Sequence, residues 1–141
     1  LIALDANNAF NSISRAAIIR NLAEHVPSLV PFFRHGYCRE PPSLFFRMAS
    51  GEVRHIPSRM GSQQGDPLGV VLFCVGVLPA LRNSRARRES RTTGTPGAAY
   101  ADDIQLAPKA LDADAIGNIA ALRDDFREAR VHLALGKSLA L

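Results

Sequence analysis

Residues 98–106 read Ala-Ala-Tyr-Ala-Asp-Asp-Ile-Gln-Leu, so two adjacent acids, Asp102 and Asp103, stand inside an otherwise apolar run. Small and β-branched residues on both sides predict strand, turn, strand. Burying two like charges side by side is costly unless something neutralises them. A divalent metal does so, and hard cations such as magnesium prefer carboxylate oxygens. An exposed hairpin tip with two solvated acids satisfies the same pattern, and the rest of the chain decides between the two.

The chain has 141 residues, enough for one domain or part of one, and its 47% hydrophobic content is enough for a real core. It begins with Leu1 inside an apolar run, which reads as a piece cut from something longer. A basic n-region with a small-residue cleavage site is not found. The longest uncharged apolar stretch, residues 67–81, is short for a membrane span and contains Gly69, Gly76 and Pro79. It predicts a buried core helix, and no membrane partner is expected. Cys38 and Cys74 have no metal-binding spacing and lie in apolar contexts, so inert packing in a reducing, intracellular compartment is expected. His25, His35, His55 and His132 show no metal spacing either. The net charge is +4, and 15 arginines stand against two lysines, Lys109 and Lys137. An Arg-rich basic domain suits a phosphate-bearing partner, although an ordinary soluble surface has the same balance.

In chain order, residues 1–4 read as a buried strand ending at Asp5, followed at once by polar, turn-forming residues. Ser14 predicts the N-cap of a helix from Arg15 to Val26, with Ala16, Ile19, Leu22, Ala23 and Val26 on one face. Pro27 stops it. A second short helix spans residues 28–37, with Leu29, Phe32 and Phe33 inward and Gly36 near its end. Residues 43–49 and 52–57 flank Ser50-Gly51 as a hairpin carrying Arg47 and Arg54. The loop 59–69 holds three glycines and a proline. Its Asp66-Pro67 pair signals a helix start, feeding an apolar helix from Leu68 to Arg82. A Gly-rich loop before a buried helix suits phosphate or base contact, and a tight structural turn fits as well. Arg82, Arg85, Arg87, Arg88 and Arg91 then fall in a basic, mobile surface loop running to Gly97. After the acidic hairpin, Asp112 or Asp114 caps a helix reaching Arg130, with Ile116, Ile119, Leu122, Phe126 and Ala129 buried. Residues 131–135 alternate like a strand. The predicted order β α α β β α β β α β is α+β.

Three motifs occur in a fixed order: Asp5 with Ala9-Phe10, then Gln64-Gly65-Asp66-Pro67-Leu68, then Tyr100-Ala101-Asp102-Asp103. Together they resemble the palm of a reverse transcriptase, an RNA-directed DNA polymerase, in the style of a non-long-terminal-repeat retrotransposon enzyme. Gln63 stands where that family usually has Pro. Residues 131–138 are similar to the palm's fourth motif, with Arg130 for the usual Gly, Ala134 for Asn and Ser138 for Thr. Asn11 occupies a position where many relatives carry a second acid. The resemblance covers nearly the whole chain. It implies an α+β polymerase palm, an antiparallel sheet backed by helices, as one domain over residues 1–141 that is truncated at both ends. The fingers and thumb segments of the parent chain are absent.

The resemblance also implies a site. Asp5, Asp102 and Asp103 would be catalytic and would bind two Mg2+ ions, with Mn2+ as a substitute. Two such ions roughly 3.5–4 Å apart bracket the attacking and leaving oxygens of an in-line displacement. Adjacent strand residues point to opposite faces, so Asp102 and Asp103 can share a site only where a turn bends the backbone between them. Ala6, Asn7, Asn8, Ala9 and Phe10 would meet the triphosphate and sugar, and Gln64 and Gly65 the incoming nucleotide or template strand. Lys137 would lie near the pyrophosphate leaving group. Template RNA, a primer strand and deoxynucleoside triphosphates are the implied partners, and the nucleus is one implied location. Without fingers and thumb, the 141 residues alone are expected to extend primers negligibly. Two other readings are a palm of an RNA-directed RNA polymerase, against which Asn8, Asn11 and Gln64-Gly65 argue, and a catalytically inactive palm kept as a nucleic-acid-binding or scaffold module.

Overall fold

The computed structural model describes residues 1–39, 43–89, 96–108, 110, 112–134, 136 and 139–140. In chain order the strands and α-helices are β1 (Ile2–Leu4), β2 (Ala6–Asn7), α1 (Ala9–Ser12), α2 (Arg15–His25), α3 (Val30–Phe33), β3 (Ser43–Arg47), β4 (Val53–Pro57), α4 (Gly69–Glu89), β5 (Gly97–Tyr100), β6 (Asp103–Leu106), α5 (Ala113–Glu128), β7 (His132–Leu133) and β8 (Leu139–Ala140). A 3₁₀ turn, Pro27–Leu29, leads into α3, and a π-helical turn, Arg34–Cys38, follows it. The expected α+β class and the two predicted hairpins are observed.

The main sheet runs β5-β6-β1-β8, and each neighbouring pair is antiparallel. Its register places Ile2 opposite Leu106 and Leu4 opposite Ile104. All four of these side chains are buried, so this face of the sheet is its core face. They join a core with Leu22 from α2, Leu72 and Phe73 from α4, and Leu122 and Phe126 from α5. Strands β2 and β7 form a separate short pair, and the Ala134 N–H donates to the Asp5 carbonyl at 2.8 Å beside it. The β3–β4 hairpin is exposed along its whole length, including Leu44, Phe45, Phe46 and Ile56.

Several expectations are corrected. The buried face of α2 is Ala17, Ile18, Asn21 and Leu22, while Ala16 and Ala23 are exposed. The polar Asn21 hid this face. Its amide donates to the carbonyls of Val75 at 3.2 Å and Gly76 at 3.1 Å in α4. Pro79 lies four residues beyond Val75 and has no N–H to give that carbonyl. Asn21 therefore supplies the hydrogen bond that α4 cannot make for itself. Gly76 permits the close crossing, because a Cβ there would stand 2.5 Å from Ile13 Cδ1.

Helix α4 begins at Gly69 and continues to Glu89, so Arg82, Arg85, Arg87 and Arg88 are helical and not part of a loop. The tail is a good helix former. It is held by an Arg85–Glu89 pair one turn apart and by Arg87 bonded to Asp125 of α5. Arg91 lies outside the described residues. Phe32 is exposed and Phe33 buried, because the 27–38 segment passes through three helical geometries and not one. Cys38 is exposed and only Cys74 is partly buried, which overturns the expected packing role for Cys38. In α5, Ala115 and Asn118 are buried and Ile116 is exposed. Asp112 is the cap, its side chain accepting from the Ala115 N–H at 2.8 Å. The helix ends in a Schellman motif, with Val131 N–H to Phe126 carbonyl at 3.0 Å and Arg130 N–H to Arg127 carbonyl at 2.9 Å. Arg130 therefore sits at φ 61, which is why a glycine suits this position. The predicted strand over 131–135 shortens to β7, and Leu135 lies outside the described residues.

Candidate active site

Backbone register brings the acids to one end of the sheet. The β1–β6 ladder ends at Leu4 opposite Ile104, so Asp5, just past β1, and Asp103, at the start of β6, lie at the same end of the sheet. Ile104 faces the core, so alternation turns Asp103, its neighbour in β6, to the other face. The β5–β6 hairpin closes at the pair Tyr100–Asp103, leaving Ala101-Asp102 as a two-residue loop. Ala101 has φ 52 while Asp102 does not have positive φ, the sign pattern of a type II′ hairpin turn. The turn lies near the Cys74 thiol of α4. Burial, and secondarily the Asp102 charge, push that thiol's pKa up. Asp5 and Asp102 are half-buried and Asp103 is exposed.

Asp5 opens a tight turn. Asn8 holds φ 47, a left-handed conformation that asparagine tolerates better than most residues. Its side-chain oxygen accepts from Asn11 Nδ2 at 2.6 Å, and its carbonyl accepts from the N–H groups of Asn11 at 3.1 Å and Ser12 at 3.0 Å. Ala6 and Ala9 are buried, so this turn offers a ligand main chain and the exposed Asn7 and Asn8. Phe10 is half-buried and its ring stacks on Phe73 of α4, with centroids 4.8 Å apart.

The glycine-rich loop docks against that turn through its backbone. Ser62 N–H donates to the Phe10 carbonyl at 2.8 Å, and Gly61 N–H to the Ile13 carbonyl at 3.0 Å. Gly61 has φ 78, and a Cβ there would stand 2.5 Å from the Phe10 carbonyl oxygen. Glycine is the residue that satisfies both conditions. Further along, Gln64 and Gly65 are exposed at the tip of a turn in which Asp66 N–H reaches back to the Gln63 carbonyl at 3.3 Å.

Two residues that carry no motif, Arg15 and Tyr37, hold this loop. Arg15 Nε donates to the Gly61 carbonyl at 3.0 Å, Nη1 to the carbonyls of Tyr37 at 2.9 Å and Ser58 at 2.7 Å, and Nη2 to Ser58 Oγ at 2.9 Å and the Met60 carbonyl at 3.1 Å. Burial lowers its pKa, yet guanidinium remains charged at any ordinary pH. Tyr37 accepts from the Gln63 N–H at 3.2 Å and donates to the Asp66 carboxylate. Asp66 accepts from the Leu68 N–H at 2.9 Å just before α4, which bears out its predicted capping role.

The donor chemistry of Asp5, Asp102 and Asp103 suits a hard divalent cation, being all carboxylate oxygen. Their strands bring them to one end of the sheet. Among the described residues, however, no group of three His, Cys, Asp or Glu side chains is gathered closely enough to hold a metal ion. Lys137 and Ser138 lie outside the described residues. Also among the described residues, no helix is long and apolar enough to cross a membrane.

A family model described as reverse transcriptase (RNA-dependent DNA polymerase) matches residues 1–141. No curated protein matches the chain. Among solved structures, telomerase from Candida tropicalis in complex with a TWJ fragment of telomeric RNA superposes with a TM-score of 0.71 at 12% identity, covering 99% of this chain and 25% of that one. Apo telomerase from the same organism, truncated from its C-terminal domain, gives 0.62 at 10% identity over 99% of this chain and 30% of that one. The Candida albicans telomerase complex with a TWJ fragment gives 0.60 at 9% identity over 99% and 26%. The likeness is one of fold, and the chain spans between a quarter and a third of those polypeptides. Because the family match runs the whole length of the chain, through Asp5, the Gln64-Gly65 loop and the Tyr100–Asp103 hairpin, this chain belongs to the reverse transcriptase (RNA-dependent DNA polymerase) family.

Proposed function

We propose that the chain is the catalytic core of a retrotransposon's RNA-directed DNA polymerase, adding deoxynucleotides to a primer end by a two-metal mechanism. The observation that supports this reading is that Asp5, just past β1, and the β5–β6 hairpin that carries Asp102 and Asp103 lie at the same end of the sheet. Asp5, Asp102 and Asp103 would hold Mg2+ or Mn2+, which would supply charge neutralisation at the attacking and leaving oxygens.

The chain's own residues orient the nucleotide. The main chain of Ala6 to Ala9, with Asn7 and Asn8, lines the triphosphate. Phe10, braced from behind by Phe73, lies under the sugar and leaves a 2′-hydroxyl without a partner, which favours deoxynucleotides. Gln64 and Gly65 face the incoming nucleotide or the template strand. By resemblance, Lys137, outside the described residues, would serve at the leaving pyrophosphate. Template RNA and a primer are the partners, and the telomeric RNA fragment bound to the similar Candida structures supports an RNA partner. By resemblance, template and primer are gripped by fingers and thumb segments, so negligible extension is expected of the 141 residues taken alone.

One observation favours a second reading, a catalytically inactive palm kept as a nucleic-acid-binding or scaffold module: the three carboxylates are not gathered. One experiment separates the two. Asp102→Asn in the parent polypeptide keeps shape and removes charge. The polymerase reading expects nucleotide addition to fall by on the order of a thousandfold or more, with primer–template affinity nearly unchanged. A wild-type protein that binds primer–template and adds no nucleotide in Mg2+ or Mn2+ establishes the scaffold reading.

A further inference from the structure

The turn that carries Gln64 and Gly65 is braced at its base by one phenol. The Tyr37 oxygen accepts from the Gln63 N–H at 3.2 Å and donates to the Asp66 carboxylate, so one atom bridges the first and last residues of the turn. The turn's own closure, Asp66 N–H to Gln63 carbonyl, is long at 3.3 Å. Gly65 stands at φ 90, with nothing within 4 Å of where a Cβ would be. The tip is therefore open and its base is fixed.

Tyr37 is itself immobilised from three sides. Its ring stacks on the fully buried Phe33 at 5.0 Å and an interplanar angle of 12°. The Arg15 guanidinium lies 5.2 Å from the ring centroid, and Arg15 Nη1 donates to the Tyr37 carbonyl at 2.9 Å. The residue sits in the π-helical turn Arg34–Cys38, a rare geometry that recurs at functional sites. Burial, and then the bond to Asp66, push its pKa up to about 12, so the phenol keeps the proton it donates at any assay pH.

We propose that Tyr37 is a positioning residue that pre-sets the Gln64–Gly65 tip for the incoming nucleotide, so that its hydroxyl governs KM for the nucleotide and not kcat. The inference rests on the polymerase reading. A tip already ordered before binding spends no binding free energy on ordering. The carboxylates proposed to serve the chemical step stand just past β1 and on the β5–β6 hairpin, which Tyr37 does not touch in any bond described above.

Tyr37→Phe tests this, because it keeps the ring and its stack and removes only the two hydroxyl bonds. Amide hydrogen exchange at residues 63–68 is measured in parallel with nucleotide KM and kcat, using the parent polypeptide and its primer–template. Leu122→Val, in the core on α5, serves as a stability control. The expected result is faster exchange confined to residues 63–68 and a KM raised about three- to tenfold, as loss of the hydroxyl's two bonds allows, with kcat held; the control leaves KM unmoved. Unchanged exchange overturns the brace. Faster exchange with unchanged KM, or an equal rise of KM in the control, overturns the assignment to nucleotide positioning. A wild-type protein that adds no nucleotide fails the polymerase reading instead, and overturns the KM assignment with it, while exchange still reports on the brace.

Discussion

Two regions meet at the candidate site, and they are built on opposite principles. The acid-bearing end of the sheet is positioned by main-chain pairing: β1 against β6, β5 against β6, and a two-residue turn between Tyr100 and Asp103. The Gly61–Gly69 loop, beyond its main-chain bonds to Phe10 and Ile13, is positioned by side chains reaching in from distant elements, with Arg15 on α2, Tyr37 in the π-helical turn, and Asp66 between them. A ladder of main-chain bonds tolerates changes of side chain. A network converging on one guanidinium and one phenol does not. Substitutions in the loop should therefore cost stability steeply, and those at the sheet end should cost little stability while changing chemistry.

The largest effect is expected at Gly61, where the loop touches the Asp5–Phe10 turn. Gly61→Ala meets two penalties. A left-handed backbone costs a Cβ-bearing residue about 1–2 kcal/mol, and overlap with backbone atoms in a packed site costs a further 1–3 kcal/mol or so. The hypothetical Cβ stands 2.5 Å from the Phe10 carbonyl oxygen and 2.6 Å from Asn11 Cα, neither of which can swing away as a side-chain end would. A urea midpoint reporting a loss of about 3 kcal/mol bears out the close docking. A loss under about 1 kcal/mol would mean that the loop stands off the turn.

Arg15 comes next. Arg15→Lys keeps the positive charge and loses the planar fork that lets one side chain serve Tyr37, Ser58, Met60 and Gly61 at once. Lysine offers a compact ammonium and satisfies a minority of these acceptors. The expected cost is about 1.5–2.5 kcal/mol in the same unfolding experiment, from carbonyls left partly unpaired. Full retention of stability would show that charge, and not the fork, holds the loop.

The same contrast explains what the sequence revealed. The acid pair is legible because a local pattern, charge inside an apolar run, coincides with strand alternation. Asp66 is legible because its capping partner is two residues away. Arg15 and Tyr37 are not, since their partners lie 22 to 46 residues off and nothing local distinguishes this arginine from the fourteen others. Asn21 misled for a related reason. A polar residue reads as solvent-facing until the unpaired Val75 carbonyl, a consequence of Pro79 on another helix, is brought beside it. The tail of α4 departs from the expected loop because arginine density suggests a solvated segment, whereas Arg87 is committed to Asp125 across the α4–α5 contact.

The smallest effect tests the sheet end itself. Ala101 occupies the first position of the two-residue turn at φ 52, where glycine is the residue of choice. Ala101→Gly removes a left-handed penalty of about 1–2 kcal/mol and adds an unfolded-state entropy cost of about 0.5–1 kcal/mol. A net gain of about 0.5–1 kcal/mol is expected, read as a rise of a few degrees in the thermal midpoint. If register alone sets the acids, relieving this strain leaves their affinity for Mn2+, followed by titration in the parent polypeptide, unchanged within about twofold of wild type. Strained residues also gather where a side chain must be aimed, and Asp102 is the next residue along. A variant that gains stability while Mn2+ affinity falls tenfold would show that the turn, and not the ladder, places Asp102. The sheet end would then depend on a local device just as the loop does, and the contrast between the two regions would fail at the residue nearest the chemistry.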